Sequence, residues 1–352
     1  MINLEKEIRE QPAVLSGLKN ANEKVLRDLS DEMKHRRIRH VYFAARGTSD
    51  HAATYAQYLF GFVAGLPCGL ATPSVISRYG GKIDYRDSLV IGLSQSGEAA
   101  DVIAVISEAK EMGALTAAVT NSPDSPLAGA VDYHLYCSAG KETSIAATKT
   151  FTAQMMLLAY LCAEYTDHEP LKKALGDVPS QIARLLDYMP EELAQLTKRY
   201  VSLESAVVLG RGFAYPIALE GALKILETNN VKMRGYAASD FHHGPKAQLS
   251  AGDLAIVLDL KGPVCEDAEA LIEELKSMNA DVIVITDTAH YDADPALTVL
   301  KIPGLAGEGV PSDALNVYAA AVVLQLFALE LTVAKGIDPD ASAVLKKVTI
   351  TK

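Results

Sequence analysis

The chain has 352 residues, enough for two domains of ordinary size, and 49% of them are hydrophobic, which is typical of a well-packed globular protein. Its formal net charge of −11 excludes a protein built to bind nucleic acid, because a phosphate backbone demands a basic face. The uncharged stretch 316–329 is too short to span a bilayer and predicts a buried helix, so we expect no membrane partner.

The first residues and the cysteines indicate a cytoplasmic protein. Residues 1–7 are charged and lack the apolar core of a signal peptide. The four cysteines lie far apart without C-x-x-C spacing, which predicts reduced, buried and inert thiols. They are Cys68, Cys137, Cys162 and Cys265.

In chain order, a helical stretch over residues 2–33 leads into a unit that occurs twice. Each copy consists of strand, glycine turn, helix, strand, turn, helix and strand, and the first two strand pairs are 165 residues apart. The matched segments are 41–47 with 206–212, 89–91 with 254–256, and 117–121 with 283–287. Helices are also predicted over 151–165 and 171–189, with Pro170, Pro179 and Pro190 as interruptions.

The repeated strands are short continuous apolar runs, as in parallel sheets covered on both faces. The helices between them, such as 101–112 and 265–278, have amphipathic spacing. The sequence therefore predicts an α/β protein with two tandem doubly wound parallel-sheet domains, with ligands at the carboxyl ends of the strands. The expected boundaries are an N-terminal helical segment 1–36, a first domain with bridging helices 37–190, a second domain 191–335 and a C-terminal tail 336–352.

Residues 94–98, Ser-Gln-Ser-Gly-Glu, stand between an apolar strand and a predicted helix. Backbone N–H groups at a helix N-terminus and short polar side chains form a phosphate-binding turn, although a plain helix cap has the same composition. The second copy has Asp-Leu-Lys-Gly at 259–262, and Asp259 would repel a phosphate. This asymmetry favours phosphate binding by the first copy alone.

Residues 218–227 form an almost wholly apolar helix that carries Glu220, Lys224 and Glu227 on one face. These groups are either a solvated edge with ordinary ion pairing or an acid/base pair tuned by a neighbouring ammonium group.

His242 and His243 are adjacent in a loop, with no cysteine or acidic pattern nearby, so we expect no metal site. One imidazole is a candidate acid/base group, and a surface pair is the alternative.

Taken together, these motifs resemble the sugar isomerase (SIS) domain family over nearly the whole chain. The resemblance is to the isomerase half of glucosamine-6-phosphate synthase and, more closely, to SIS-type glucosamine-6-phosphate deaminases. It is carried by segments 46–52, 73–75, 93–98, 147–149, 210–212, 218–224, 243–245 and 336–340 together with Lys346.

The resemblance implies a role for each matching residue. Glu227 would move a proton between C1 and C2 of the sugar, with Lys224 and Glu220 in support. His243 would assist ring opening from a partner subunit, and Lys346 would close over the substrate from the tail. The residues implied in phosphate and sugar binding are Ser49, Ser94, Gln95, Ser96, Ala99, Ile145 and Ala147.

Two of these positions depart from the synthase pattern. Ala99 replaces a threonine and so removes one phosphate-binding hydroxyl, and Ala147 replaces a serine that contacts the sugar. The chain also begins near the isomerase boundary without a glutaminase domain or its nucleophilic cysteine, so we expect that it does not make ammonia from glutamine.

The resemblance implies an enzyme that converts glucosamine 6-phosphate to fructose 6-phosphate and ammonia through an enolamine, without metal or cofactor. A homodimer with a shared site is expected. The alternatives are a fructosamine-6-phosphate deglycase, an isomerase without glutaminase activity, and a non-catalytic sugar-phosphate sensor.

Overall fold

The structure of the chain, a computed structural model, describes residues 2–341 and Lys347. It divides into two compact units. The first unit comprises residues 13–142 and 149–175 with Lys347, and the second unit comprises residues 2–12, 143–148 and 176–341.

The first unit is a five-stranded parallel sheet with its helices. Its strands are β1 (His40–Ala44), β2 (Cys68–Leu70), β3 (Ser88–Ser94), β4 (Leu115–Thr120) and β5 (Tyr133–Tyr136). Its helices are α2 (Gln11–Arg36), α3 (Thr48–Leu59), α4 (Pro73–Ser77), α5 (Ala100–Glu111), α6 (Pro126–Ala130) and α7 (Lys149–Tyr165), and α8 (Glu169–Leu186) has residues in both units. A π-helical turn, Phe60–Ala64, follows α3.

The strand order of this sheet is β2-β1-β3-β4-β5, and every pair is parallel. Strands β3 and β4 are buried at every residue, as expected for central strands covered on both faces. Helix α7 packs on α3, and most of its residues are buried.

The second unit contains a sheet of the same order. Its strands are β6 (Ser205–Gly210), β7 (Lys232–Ala237), β8 (Leu254–Asp259), β9 (Asp281–Thr286) and β10 (Leu297–Lys301). Its helices are α1 (Asn3–Arg9), α9 (Met189–Leu196), α10 (Ala214–Asn229), α11 (Ala238–Phe241), α12 (Cys265–Ser277) and α13 (Asp313–Ala334), with short 3₁₀ helices at Thr197–Tyr200 and Pro245–Gln248. The order is β7-β6-β8-β9-β10, all parallel, so the repeat predicted from the sequence is confirmed in the topology.

Helix α13 forms the centre of the second unit, where it packs on α10. A Cβ on Gly221 of α10 would lie 2.3 Å from Leu324 Cδ1, so the close approach of the two helices requires glycine there. Among the described residues, α13 alone is apolar and long enough to cross a membrane, but 83% of its most apolar window is buried inside the protein. The predicted buried helix at 316–329 is confirmed within α13.

Three expectations need correction. The predicted helix 2–33 is two helices, because the chain breaks at Glu10 between α1 and α2. Pro179 lies inside α8 and does not end it. The cysteines are free thiols as predicted, but Cys68 and Cys265 are only half-buried.

Candidate active site

The first candidate site lies at the carboxyl ends of β1 and β3. Ala44 pairs with Gly92 across these strands, and the chain continues from them toward opposite edges of the sheet. Ligands of open parallel sheets bind in the crevice at such a switch point. Ser49, in the first turn of α3, and Ser94, which ends β3, both lie at this edge and are each 8% exposed.

The turn from β3 to α5 is held in shape by its own serines. Ser94 Oγ accepts the N–H of Gly97 at 3.1 Å, and Ser96 Oγ accepts the N–H of Glu98 at 3.3 Å. Because each hydroxyl oxygen accepts a hydrogen bond, its proton can be donated to an anion. Gly97 has φ +70°, and a Cβ there would lie 2.1 Å from Ser125 Oγ, so this turn requires glycine.

Gln95 and Ala99 complete the predicted phosphate-binding turn. The Gln95 carbonyl accepts the N–H of Asn121 at 3.0 Å, which ties the turn to the end of β4. Ala99 is the N-cap of α5 and its side chain caps no N–H group. A helix N-terminus without a side-chain cap favours an anionic ligand, because its N–H groups carry partial positive charge.

The equivalent turn of the second unit holds a carboxylate of the protein itself. Asp287 Oδ1 accepts the N–H of Lys261 at 2.8 Å, and its Oδ2 accepts from Asn316 Nδ2 at 2.7 Å. Lys261 stands 165 residues after Ser96, the spacing of the repeat. In the first unit the residue after the corresponding strand is Asn121, whose side chain bonds the loop that follows β5.

Two more carboxyl groups lie at this second turn. Asp259 ends β8 and accepts from the Tyr291 hydroxyl at 2.7 Å, while Asp313 lies so close to Gly262 that an added Cβ would be 2.7 Å from its Cγ. Burial raises the pKa of both aspartates to about 6. The arrangement supports the expectation that the second turn excludes phosphate.

The three charged groups of α10 form a cluster around a buried ammonium. Lys224 Nζ lies 2.5 Å from Glu227 Oε2 and 3.5 Å from Glu220 Oε1. The Lys224 and Glu220 side chains are each 2% exposed, so a solvated edge is the wrong interpretation for them. Glu227 is 22% exposed, which leaves its carboxylate accessible to a ligand. A desolvated cation held between two carboxylates orients the outer one for proton transfer.

The two loop histidines differ in their surroundings. His242 Nδ1 lies 3.1 Å from Glu274 Oε2, whereas the His243 side chain is exposed and its backbone N–H donates to the Asp240 carbonyl at 3.0 Å. His243 is therefore the imidazole that a substrate or a partner chain can reach. Among the residues that the structure describes, no group of three or more His, Cys, Asp or Glu side chains is arranged to hold a metal ion.

Ile145 and Ala147 lie in the loop 143–148 and are half-buried. A buried carboxylate holds this loop, because Glu7 of α1 accepts the Thr143 hydroxyl at 3.0 Å and the Ser144 N–H at 3.2 Å. The sequence reasoning missed Glu7, since a glutamate within a charged N-terminal helix gives no sign that it is buried.

Glu142 is a second carboxylate that the sequence reasoning missed. It accepts the N–H of Thr150 at 3.1 Å and the hydroxyl of the same residue at 2.7 Å, so it satisfies the first turn of α7. Lys347 Nζ also lies 3.0 Å from it. Lys346, the predicted tail lysine, lies outside the described residues.

Comparisons with known proteins agree with this geometry. The model of the SIS domain matches residues 35–163 and 201–334. Glutamine–fructose-6-phosphate aminotransferase of Gloeobacter violaceus is 32% identical over 361 residues, covering 97% of this chain and 57% of the relative. The chain therefore spans less than two thirds of that relative's length.

Solved structures share the fold. The C-terminal domain of glucosamine-fructose-6-phosphate aminotransferase from Francisella tularensis is 25% identical and superposes with a TM-score of 0.87, covering 97% of this chain and 98% of that one. Glucosamine-6-phosphate deaminase from Thermotoga maritima, at 21% identity, has a TM-score of 0.74 over 99% of this chain and all of that one, which shows the fold alone.

Proposed function

Because the chain belongs to the SIS domain family, with two copies of the domain in tandem, we propose that it is a phosphosugar isomerase acting on an amino-sugar phosphate. The proposed reaction converts glucosamine 6-phosphate and water to fructose 6-phosphate and ammonia. The matched relative and the structural neighbours are named for amino-sugar phosphates, and this supports the substrate class.

The observation that carries the proposal is the contrast between the two turns. In the second unit the turn holds the Asp287 carboxylate on the Lys261 N–H. A turn of this shape therefore binds an anion, and at the first turn the residue in the place of Asp287 is the neutral Asn121. The phosphate of the substrate supplies the missing anion there, bound by the Ser94 and Ser96 hydroxyls and the N–H groups of the turn.

The chemistry follows from the α10 cluster. His243 assists ring opening, and Glu227 removes the C2 proton and returns it at C1 through an enolamine. The resulting C2 imine is hydrolysed, so that water supplies the ketone oxygen and ammonia leaves with the nitrogen. Lys224 holds the Glu227 carboxylate in place, with Glu220 on its other side. A positioned general base contributes about 10²- to 10⁴-fold to such a step.

The remaining parts of the proposal come from the family. Lys346 closes over the bound substrate, and Ile145 and Ala147 contact the sugar. The enzyme acts as a cytoplasmic homodimer in which His243 serves the partner's site. The boundaries 1–36, 37–190, 191–335 and 336–352 remain our proposed division of the chain.

A substrate panel tests the reaction. Glucosamine 6-phosphate, fructosamine 6-phosphate and unphosphorylated glucosamine are each incubated with the protein, and ammonia and fructose 6-phosphate are measured. We expect turnover of glucosamine 6-phosphate and loss of it in Glu227→Gln, whereas Glu111→Gln, which removes an exposed carboxylate of α5, stays active. Preference for fructosamine 6-phosphate would identify a deglycase, and binding without turnover of any substrate would identify a sensor.

A further inference from the structure

An arginine lies at the switch point of the first sheet beside the phosphate-binding turn. Arg46 follows β1 by two residues, and Ser94 follows the partner of Ala44 by the same number, so both leave neighbouring strands at one level. Arg46 Nε donates to Asp101 Oδ2 at 2.7 Å, and Asp101 lies in the first turn of α5. The guanidinium is thus held at the helix N-terminus that the turn precedes.

The chemistry of the guanidinium leaves it able to bind more than Asp101. It carries five N–H donors in a fixed plane, and the bond to Asp101 uses the one on Nε. The Asp101 side chain is 5% exposed and the Arg46 side chain is 50% exposed. A buried carboxylate therefore fixes the plane of the guanidinium while half of the side chain faces solvent. Asp50 also senses this charge, but burial raises the pKa of its carboxyl, which favours the uncharged acid.

The second unit contains the equivalent pair in a different setting. Arg211 Nη1 lies 3.2 Å from Asp267 Oδ2, and these side chains are 40% and 46% exposed. Arg211 stands 165 residues after Arg46, but its turn already holds the carboxylate of Asp287. The repeat thus supplies a matched arginine in a turn that has no place for a substrate phosphate.

We propose that Arg46 binds the phosphate dianion of the substrate and that Asp101 positions it to do so. This inference rests on the proposed function, because it assigns a further ligand to the same phosphate site. Its charge-assisted N–H···O bonds add to the hydroxyls of the turn, and a planar guanidinium can offer two parallel bonds to one phosphate. Arg46 is thereby a residue that distinguishes phosphorylated from free sugars.

Calorimetric titration of the full chain with inorganic phosphate tests the assignment. Hydrogen bonds to charged groups are the strong ones, so Arg46→Met is expected to weaken phosphate affinity about 10- to 100-fold. Arg46→Lys keeps the charge but loses the fork and is expected to fall between the two. Asp101→Asn, which loosens the arginine, is expected to weaken affinity less than Arg46→Met. Arg211→Met is the matched control and should bind phosphate as the unaltered protein does.

Two readouts separate this binding role from a merely structural one. Without phosphate, Arg46→Met and Arg211→Met should lose similar small amounts of thermal stability, because each breaks one partly exposed ion pair. With substrate, Arg46→Met should raise KM and leave kcat nearly unchanged. If Arg46→Met does not fold, Arg46→Lys and Asp101→Asn carry the test.

Each outcome has a definite meaning. Unchanged phosphate affinity in Arg46→Met, or an equal loss in Arg211→Met, overturns the inference while the proposed function stands. If the unaltered protein binds no phosphate, both fail. If Arg46→Met loses phosphate binding but the unaltered protein turns over no substrate, the inference stands and the proposed reaction fails.

Discussion

Asp287 Oδ1 accepts the backbone N–H of Lys261 at 2.8 Å, at the position of the repeat that Ser96 occupies in the first copy. One turn thus holds an anion from its own chain, and its counterpart has a neutral asparagine in the place of that aspartate. Duplication of a binding unit followed by internal occupation of one copy accounts for this difference. It predicts a single phosphate site per chain.

The serine hydroxyls of the first turn should be needed for that site. Ser94→Ala combined with Ser96→Ala removes two donors to the phosphate, each contributing about 1.5–3 kcal/mol. We expect one phosphate per chain in the unaltered protein and a loss of at least about a hundredfold in affinity in the double variant, measured by calorimetry. Ser250→Ala, in an exposed loop, is the control. Two phosphates per chain, or no loss, would contradict the assignment.

Gly97 should tolerate no side chain, in contrast to another glycine of positive φ. Gly97→Ala places a Cβ 2.1 Å from Ser125 Oγ, whereas Gly113, with φ +85°, has nothing within 4 Å of an added Cβ. Gly113→Ala should cost about 1–2 kcal/mol of stability from its backbone alone. Gly97→Ala should cost about 1–3 kcal/mol more and should also weaken phosphate binding. Equal costs in urea unfolding would show that the turn is not tightly packed.

The buried ammonium of α10 should be required for folding as well as for chemistry. Lys224→Met leaves Glu220 buried beside Glu227 without their common cation, which typically costs about 3–5 kcal/mol. Adding Glu220→Gln should recover part of this loss, because one uncompensated charge is removed. Urea unfolding of the single and double variants measures both effects. A single variant within about 1 kcal/mol of the unaltered protein would argue that water reaches the cluster.

The second turn should make stability depend on pH. Burial raises the pKa of Asp259 to about 6, against the hydrogen bond from Tyr291, which lowers it. A carboxyl with a raised pKa holds its proton more tightly when folded, so its contribution is fully present below pH about 4 and is lost as pH rises through about 6.

Asp259→Asn removes this titration and keeps an acceptor for Tyr291. Relative to the unaltered protein, the variant should gain about 2–3 kcal/mol between pH 4 and pH 7, measured by urea unfolding at each pH. Asp31→Asn, at an exposed position of α2, should show no such trend. A difference that stays constant with pH would mean that Asp259 is already ionised at pH 4.

The central parts of the fold could be predicted from the sequence, and the edges of the sheets could not. Apolar runs at β3, β4, β8 and β9 are continuous because those strands are buried on both faces. The edge strands β2 and β5 are three and four residues long and only partly buried, so no apolar run marks them. The boundary at Glu10 was missed because helical periodicity continues across it.

The site was predicted where its residues lie close together in sequence, and missed where they come from distant segments. The spacing of Glu220, Lys224 and Glu227 places them on one helix face, but their burial depends on α13 packing against α10. The pair Arg46–Asp101 joins the ends of two strands, and its spacing of 55 residues follows no local period. Such contacts are fixed by topology, which the repeat could have revealed through the equivalent pair of Arg211 and Asp267.

Exchange of the C2 proton of glucosamine 6-phosphate with deuterated water tests the account most directly, because it reports proton transfer before any ammonia is lost. The unaltered protein should incorporate deuterium, and Glu227→Gln should slow this about 10²- to 10⁴-fold while still binding phosphate. Exchange at an undiminished rate in Glu227→Gln, or none in the unaltered protein, would contradict Glu227 as the base.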